Sequence, residues 1–103
     1  MFELYQLTQL IAIAECGTMS GAAGQLHLSQ PALSRSMQKL EEELQVTLFD
    51  RKKNKIALNQ NGELAVQQAR RVVQQARDLV EQVRALDRSR HTISIGSCAP
   101  APL

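Results

Sequence analysis

Between Gly62 and Gly96 the chain contains neither glycine nor proline, and that uninterrupted run constrains its fold more than any other feature. Gly and Pro punctuate regular structure, so their absence predicts one long helix from about Asn61 to Arg88. At ~1.5 Å of rise per residue such a helix extends about 40 Å, longer than a small core can cover, and is expected to project. Ala65, Ala69, Val72, Ala76, Leu79, Val83 and Leu86 follow one another at alternating intervals of four and three, the a/d spacing of a coiled coil. These residues are the expected dimerisation seam, with Val66, Val73 and Val80 widening the stripe beside it. The competing expectation is a helix folded onto its own domain. Arg70, Arg71, Arg77 and Arg84, set against Asp78 and Glu81, read as a solvated face.

The residues before Gly62 are punctuated far more often. Leu4, Leu7, Leu10, Ile11 and Ala14 recur at helical intervals and predict an amphipathic first helix, which Gly17 ends. Thr18, or Ser20, caps a short second helix to about Leu26, in which Ala22 and Ala23 are small enough for another helix to cross closely. His27-Leu28 is the turn. Ser29 is a good N-cap and Pro31 falls in the first turn, where its missing N–H costs nothing, so a third helix runs over 30–44 with Leu33, Met37, Leu40 and Leu44 inward. Val46, Leu48 and Phe49 before a basic loop, and Ile56-Ala57-Leu58 after it, predict a two-stranded wing. Ile93-Ser94-Ile95-Gly96 alternates like a strand, and Pro100 and Pro102 forbid a helix there. One strand cannot stand alone, so the chain is expected to stop at the start of a second, truncated domain.

Composition narrows the function classes. Only 3% of residues are aromatic against 44% hydrophobic, so the core must be built from Leu, Ile, Val and Ala. The two cysteines, Cys16 and Cys98, are too few and too far apart for a disulfide framework or a zinc site. Neither a secretory signal nor an apolar run of ~18 residues is present, so a cytoplasmic protein without membrane contact is expected. The net charge of +2 says little, but its distribution says more: no Lys or Arg precedes Arg35, whereas Arg51, Lys52, Lys53 and Lys55 crowd around Asn54. Such density suits phosphates, although a solvated loop has the same composition.

Two short helices joined by a tight turn, small residues in the first and a polar start to the second, describe a helix-turn-helix. A recognition helix enters the major groove with its N-terminal turn, which brings Ser29, Gln30, Pro31 and Ala32 nearest to base edges; Gln30 can pair bidentately with adenine. Ser34 and Thr18 are placed for phosphate, as is Lys39. Arg51 has two open readings, DNA contact or a brace for the wing through Glu41, Glu42 and Glu43. Lys52, Lys53 and Lys55 are expected at the backbone or in a narrow minor groove.

The string Leu26-His27-Leu28-Ser29-Gln30-Pro31-Ala32-Leu33-Ser34-Arg35, followed by Leu40-Glu41-Glu42-Glu43-Leu44 and Leu48-Phe49-Asp50-Arg51, closely resembles the LysR-type transcriptional regulators. The resemblance covers residues 4 to 96 and includes Ala22-Ala23, Gly62 before the linker helix and Ile93-Ser94-Ile95-Gly96. It implies that Arg35 reaches bases or phosphate. Three positions depart from the family pattern: Gln45 stands where a glycine is usual, Asn54 where a wing arginine is common, and Asn59 where a threonine usually precedes the linker helix. These changes leave the fold intact and leave Lys53 or Lys55 to take the part of the arginine.

The expected architecture is therefore mostly α: a winged helix-turn-helix of three helices and a two-stranded wing over residues 1–59, a linker and dimerisation helix over 60–89, and the start of a truncated effector-binding domain over 90–103. The expected function is that of a sequence-specific regulator without cofactor, binding double-stranded DNA at a pseudo-palindromic operator as a homodimer. A tetramer is left open for a full-length chain, and a small-molecule effector belongs only to the missing C-terminal domain. Three rivals are a coiled-coil adaptor without DNA binding, a molybdate-type winged-helix regulator with a similar front end, and an enzyme. The last has His27, Cys16, Ser29 and Ser34 to offer but no Gly-rich phosphate loop, paired carboxylates or metal cluster.

Overall fold

A computed structural model describes residues 1–52 and 55–94, with the side chains of 51, 52, 55, 56 and 91–94 left out of account. Helix α1 spans Leu4–Cys16 and ends at Gly17, whose φ of 82° lies in the left-handed region that glycine enters without Cβ strain. The Gly17 N–H bonds back to the Ile13 carbonyl at 2.9 Å, closing the helix. Helix α2 spans Met19–Gln25 and starts at Thr18, whose hydroxyl accepts the Gly21 N–H at 3.0 Å. Ala22 and Ala23 are buried, as their size allows at a close crossing. Helix α3 spans Gln30–Leu44, capped by the Ser29 hydroxyl on the Ala32 N–H at 3.2 Å, with Pro31 in its first turn.

The inward faces differ from the expected stripes in instructive ways. On α1 the buried residues are Gln6, Leu7, Gln9, Leu10, Ala12 and Ile13, whereas Leu4 is 44% exposed and Ile11 and Ala14 sit half-buried at the margin. Packing by α2 and α3 rotates the covered face toward two glutamines, which hydrogen bonding to α3 makes tolerable (below). On α3, Leu33, Met37 and Leu40 are sealed in, but Leu44, the last helical residue, is 36% exposed. Leu10, Leu33, Met37, Leu40 and Leu48 form the centre of the core, each such burial stabilising by roughly 1.5–3 kcal/mol.

Gln45 terminates α3 with φ 60° and ψ 35°, a left-handed conformation. This is the physical reason glycine suits the position: a side chain there costs ~1–2 kcal/mol that glycine avoids. His27, in the turn between α2 and α3, has φ 58° and carries the same kind of strain.

Strand β1, Phe49–Lys52, pairs antiparallel with β2, Lys55–Leu58, with Phe49 opposite Leu58 and Lys52 opposite Lys55. The basic residues Arg51, Lys52 and Lys55 thus belong to the strands themselves, not to a loop beyond apolar strands; Lys53 and Asn54 lie outside the described residues. The hairpin is anchored by Leu48 and Phe49, both buried, while Val46 precedes it in a turn and is 42% exposed.

Helix α4 spans Gln60–Ser94, 35 residues. Asn59 is built into its start: the side-chain oxygen accepts the Gly62 N–H at 2.8 Å, and the amide nitrogen donates to the Thr47 carbonyl at 3.0 Å. Asn61 donates to the same carbonyl at 3.2 Å. The asparagine therefore does the capping expected of a threonine and additionally ties α4 to the segment entering the wing. Ile93 and Ser94 are helical, which corrects the strand expected there: an isolated strand leaves its backbone groups unpaired, whereas continuing the helix satisfies them. Ile95, Gly96, Cys98, Pro100 and Pro102 lie outside the described residues.

Two compact units divide the chain, Met1–Val73 and Gln74–Leu103. In the first, Val66, Ala69 and Val73 are buried in the common core and Ala65 packs against it. Ala65 and Ala69 belong to the expected seam, Val66 and Val73 to the stripe beside it. Ala69 is only 2% exposed within its own chain, which leaves little of it for a partner, and Ala65 is half-buried against the same core. The small alanines let α4 approach its own domain closely, so the first part of the stripe follows the competing expectation. Among the remaining seam residues Val72, Leu79, Val83 and Leu86 are exposed and Ala76 half-buried.

Candidate nucleic-acid interface

Burial of Leu33, Met37 and Leu40 against the core fixes which side of α3 faces outward. Pro31, Arg35, Gln38, Lys39 and Glu42 occupy that exposed side, and Gln30 stands exposed in the first turn. Ala32 and Ser34 are half-buried at its borders. Gln38 escaped the sequence reading, although it lies one turn beyond Arg35 on the line through Pro31; extending that line by helical periodicity would have found it.

A shallow groove runs beside this face, with Tyr5 and Gln9 of α1 on one side and Arg35, Ser36 and Lys39 on the other. Neither Arg35 nor Lys39 enters an ion pair among the described residues, so both cations remain available to an anion. Thr18 and Ser29 have the same local duty, each accepting an N–H at the start of its helix. Each is exposed, and each hydroxyl keeps its proton for an outside acceptor.

The base of the wing is tied to α3 by Glu41, whose carboxylate accepts the Leu48 N–H at 2.7 Å. Glu43 lies 3.3 Å from the amino group of Met1. Two of the three carboxylates offered as a brace for Arg51 thus have other partners; the Arg51 side chain itself is outside the described set, as are those of Lys52 and Lys55. The strand register nevertheless puts Lys52 and Lys55 at opposite positions.

Residues suited to other chemistry are dispersed. The Cys16 thiol donates to Gln25 Oε1 at 2.9 Å, and His27 sits in the turn. Among the described residues no group of three or more His, Cys, Asp or Glu could hold a metal ion. No helix of the described residues is long and apolar enough to cross a membrane.

Comparison with known proteins bears directly on this geometry. Residues 4–63 match the family described as bacterial regulatory helix-turn-helix protein, lysR family. The HTH-type transcriptional regulator TcbR of Pseudomonas sp. (strain P51) is 44% identical over 70 residues, which cover 68% of this chain and 24% of that protein. The SDS degradation transcriptional activation protein of Pseudomonas sp. (strain ATCC 19151) is 44% identical over 72 residues, 70% of this chain and 24% of its own. The chain thus spans about a quarter of the length of these curated relatives. Among solved structures, the CbnR_DBD–DNA complex superposes with a TM-score of 0.79 at 40% identity, covering 84% of this chain and 99% of that one. BenM_DBD in complex with catB site 1 DNA gives a TM-score of 0.80 at 29% identity over 87% of this chain and 97% of that one. With its three-helix core, two-stranded wing and long following helix, the chain belongs to the lysR family of bacterial regulatory helix-turn-helix proteins.

Proposed function

We propose that this chain is the DNA-reading part of a transcriptional regulator, placing α3 in the major groove of duplex DNA and the wing on the neighbouring backbone or minor groove. The observation that carries this reading is the outward face of α3: unpaired Arg35 and Lys39 beside Gln30, Pro31 and Gln38, held there by a sealed apolar face behind. In this reading Gln30 pairs with adenine, Arg35 contacts a guanine edge or phosphate, and Ser29, Pro31 and Ala32 pack nearest the bases. Thr18, Ser34 and Lys39 bind phosphates, as do Arg51, Lys52, Lys53 and Lys55 of the wing, and these set affinity more than sequence preference.

Val72, Ala76, Leu79, Val83 and Leu86 join two copies, so that two recognition helices meet a pseudo-palindromic site. Such a regulator works where bacterial DNA is, in the cytoplasm, and catalyses no reaction. A small-molecule effector, and any tetramer, belong to parts of a longer protein. Equilibrium binding to a random-sequence duplex tests the electrostatic side of this reading: log K should fall linearly with log salt, with a slope of ~0.9 for each phosphate contact. Binding that is absent, or independent of salt, contradicts it and favours a protein-interaction adaptor.

A further inference from the structure

Gln6 and Gln9, 3% and 9% exposed, are the buried polar side chains among the described residues, and the DNA-reading role assigned above uses neither. They lie about one turn apart on α1 and converge on one residue of α3, Ser36. Gln6 Nε2 donates to the Ser36 carbonyl at 3.3 Å, and Gln6 Oε1 accepts the Glu3 N–H at 2.6 Å, so both ends of this amide are engaged. The Ser36 hydroxyl donates to Gln9 Oε1. Ser36 is next in sequence to Arg35, and Gln9, Arg35, Ser36 and Lys39 border the same groove.

Around the first turns of α3 the remaining hold comes chiefly from Leu33, Met37 and Leu40, the bond from the Leu48 N–H to Glu41 lying near the other end of the helix. Apolar packing is non-directional and does not by itself fix how a helix is turned about its own axis. Turning α3 by about 20° would carry a side-chain tip at ~5 Å radius through on the order of 2 Å. Productive recognition tolerates about 0.5 Å. Hydrogen bonds, by contrast, weaken steeply with angle and distance. We infer that Gln9, seconded by Gln6, is a positioning residue for DNA reading: by holding Ser36 at its hydroxyl and its carbonyl, the pair fixes the rotation of α3 that aims Gln30 and Arg35 at the bases. This inference rests on the DNA-reading function proposed above.

The experiment compares the parent with Gln9→Leu and with the double variant Gln9→Leu/Ser36→Ala. For each, thermal melting is recorded, together with Kd for a duplex selected by the parent and for a scrambled duplex at the same salt. Gln9→Leu should melt lower, because the Ser36 hydroxyl loses its acceptor; the double variant, which removes both polar groups, should melt close to the parent. In both variants the ratio of scrambled to selected Kd should fall about tenfold or more, while binding to scrambled DNA is unchanged. A double variant that keeps the parental ratio overturns the inference and leaves the glutamines a role in stability alone. A parent that itself fails to distinguish the duplexes overturns the function beneath it, and its own ratio tells the two failures apart.

Discussion

Gly62→Ala should lower the stability of the Met1–Val73 unit by about 3 kcal/mol, moving its thermal midpoint down by on the order of 15 °C. In an ordinary helix the same change is favourable, because alanine has the higher propensity by ~1 kcal/mol. Here a Cβ at Gly62 would stand 2.2 Å from the Leu48 carbonyl oxygen and 2.7 Å from Leu58 Cδ2. The obstructing oxygen is backbone, and it also accepts the Asn59 N–H at 2.9 Å, so it cannot withdraw without loosening the start of α4. Gly24 is the internal control: it lies within α2 and a Cβ there meets nothing within 4 Å, so Gly24→Ala should raise stability by ~0.5–1 kcal/mol. Circular-dichroism melts of the two variants decide the matter. A Gly62→Ala protein that melts with the parent would mean that α4 does not approach Leu48 as described.

The second large effect is on assembly. Leu79 and Val83 are 64% and 57% exposed in the single chain, and Val80 and Leu86 are exposed beside them. Replacing both Leu79 and Val83 with Asp should leave the folding of one chain nearly untouched, since neither residue belongs to its core. In a dimer the same substitutions bury charges in an apolar seam, which costs far more than the contact was worth. Sedimentation at micromolar concentration should show a dimeric parent and a monomeric variant. Because each monomer then holds a single half-site, the affinity for a two-half-site duplex should fall by roughly 10²–10⁴, the contribution of effective concentration. A monomeric parent, or a variant that stays dimeric, contradicts the reading of this seam.

What could be read from the sequence was local. Gly17, Thr18, Ser29 and Pro31 act within a few residues of themselves, so their caps and turns were legible from spacing, and helix α3 followed with its bounds. The burial of Gln6 and Gln9 was not, because polar residues ordinarily face water and the partner that makes them tolerable, Ser36, is nearly thirty residues away. Nor does an apolar repeat say whose surface will cover it. Ala65, Ala69, Val66 and Val73 go to the chain's own core and Leu79, Val83 and Leu86 do not, although all share one heptad rhythm. The left-handed turn at Gln45 is a similar case: glutamine has no preference for that conformation, and only the resemblance to a glycine-bearing family marked the position. On α3 the core positions Leu33, Met37 and Leu40 were legible, but the exposure of Leu44 at the helix end and the full outward line were not, which is how Gln38 was passed over.

Whether α3 reads base sequence is decided by selecting bound sites from a random duplex pool, in parallel for the parent and for Gln30→Ala. The parent should return two half-sites of inverted symmetry, about one helical turn or a multiple apart. Gln30→Ala should return the same pattern with preference relaxed at one base pair in each half-site, by roughly 1–3 kcal/mol, and with binding to unselected DNA almost unchanged. An identical consensus from both proteins would contradict the account, transferring specificity from α3 to the wing or to DNA shape.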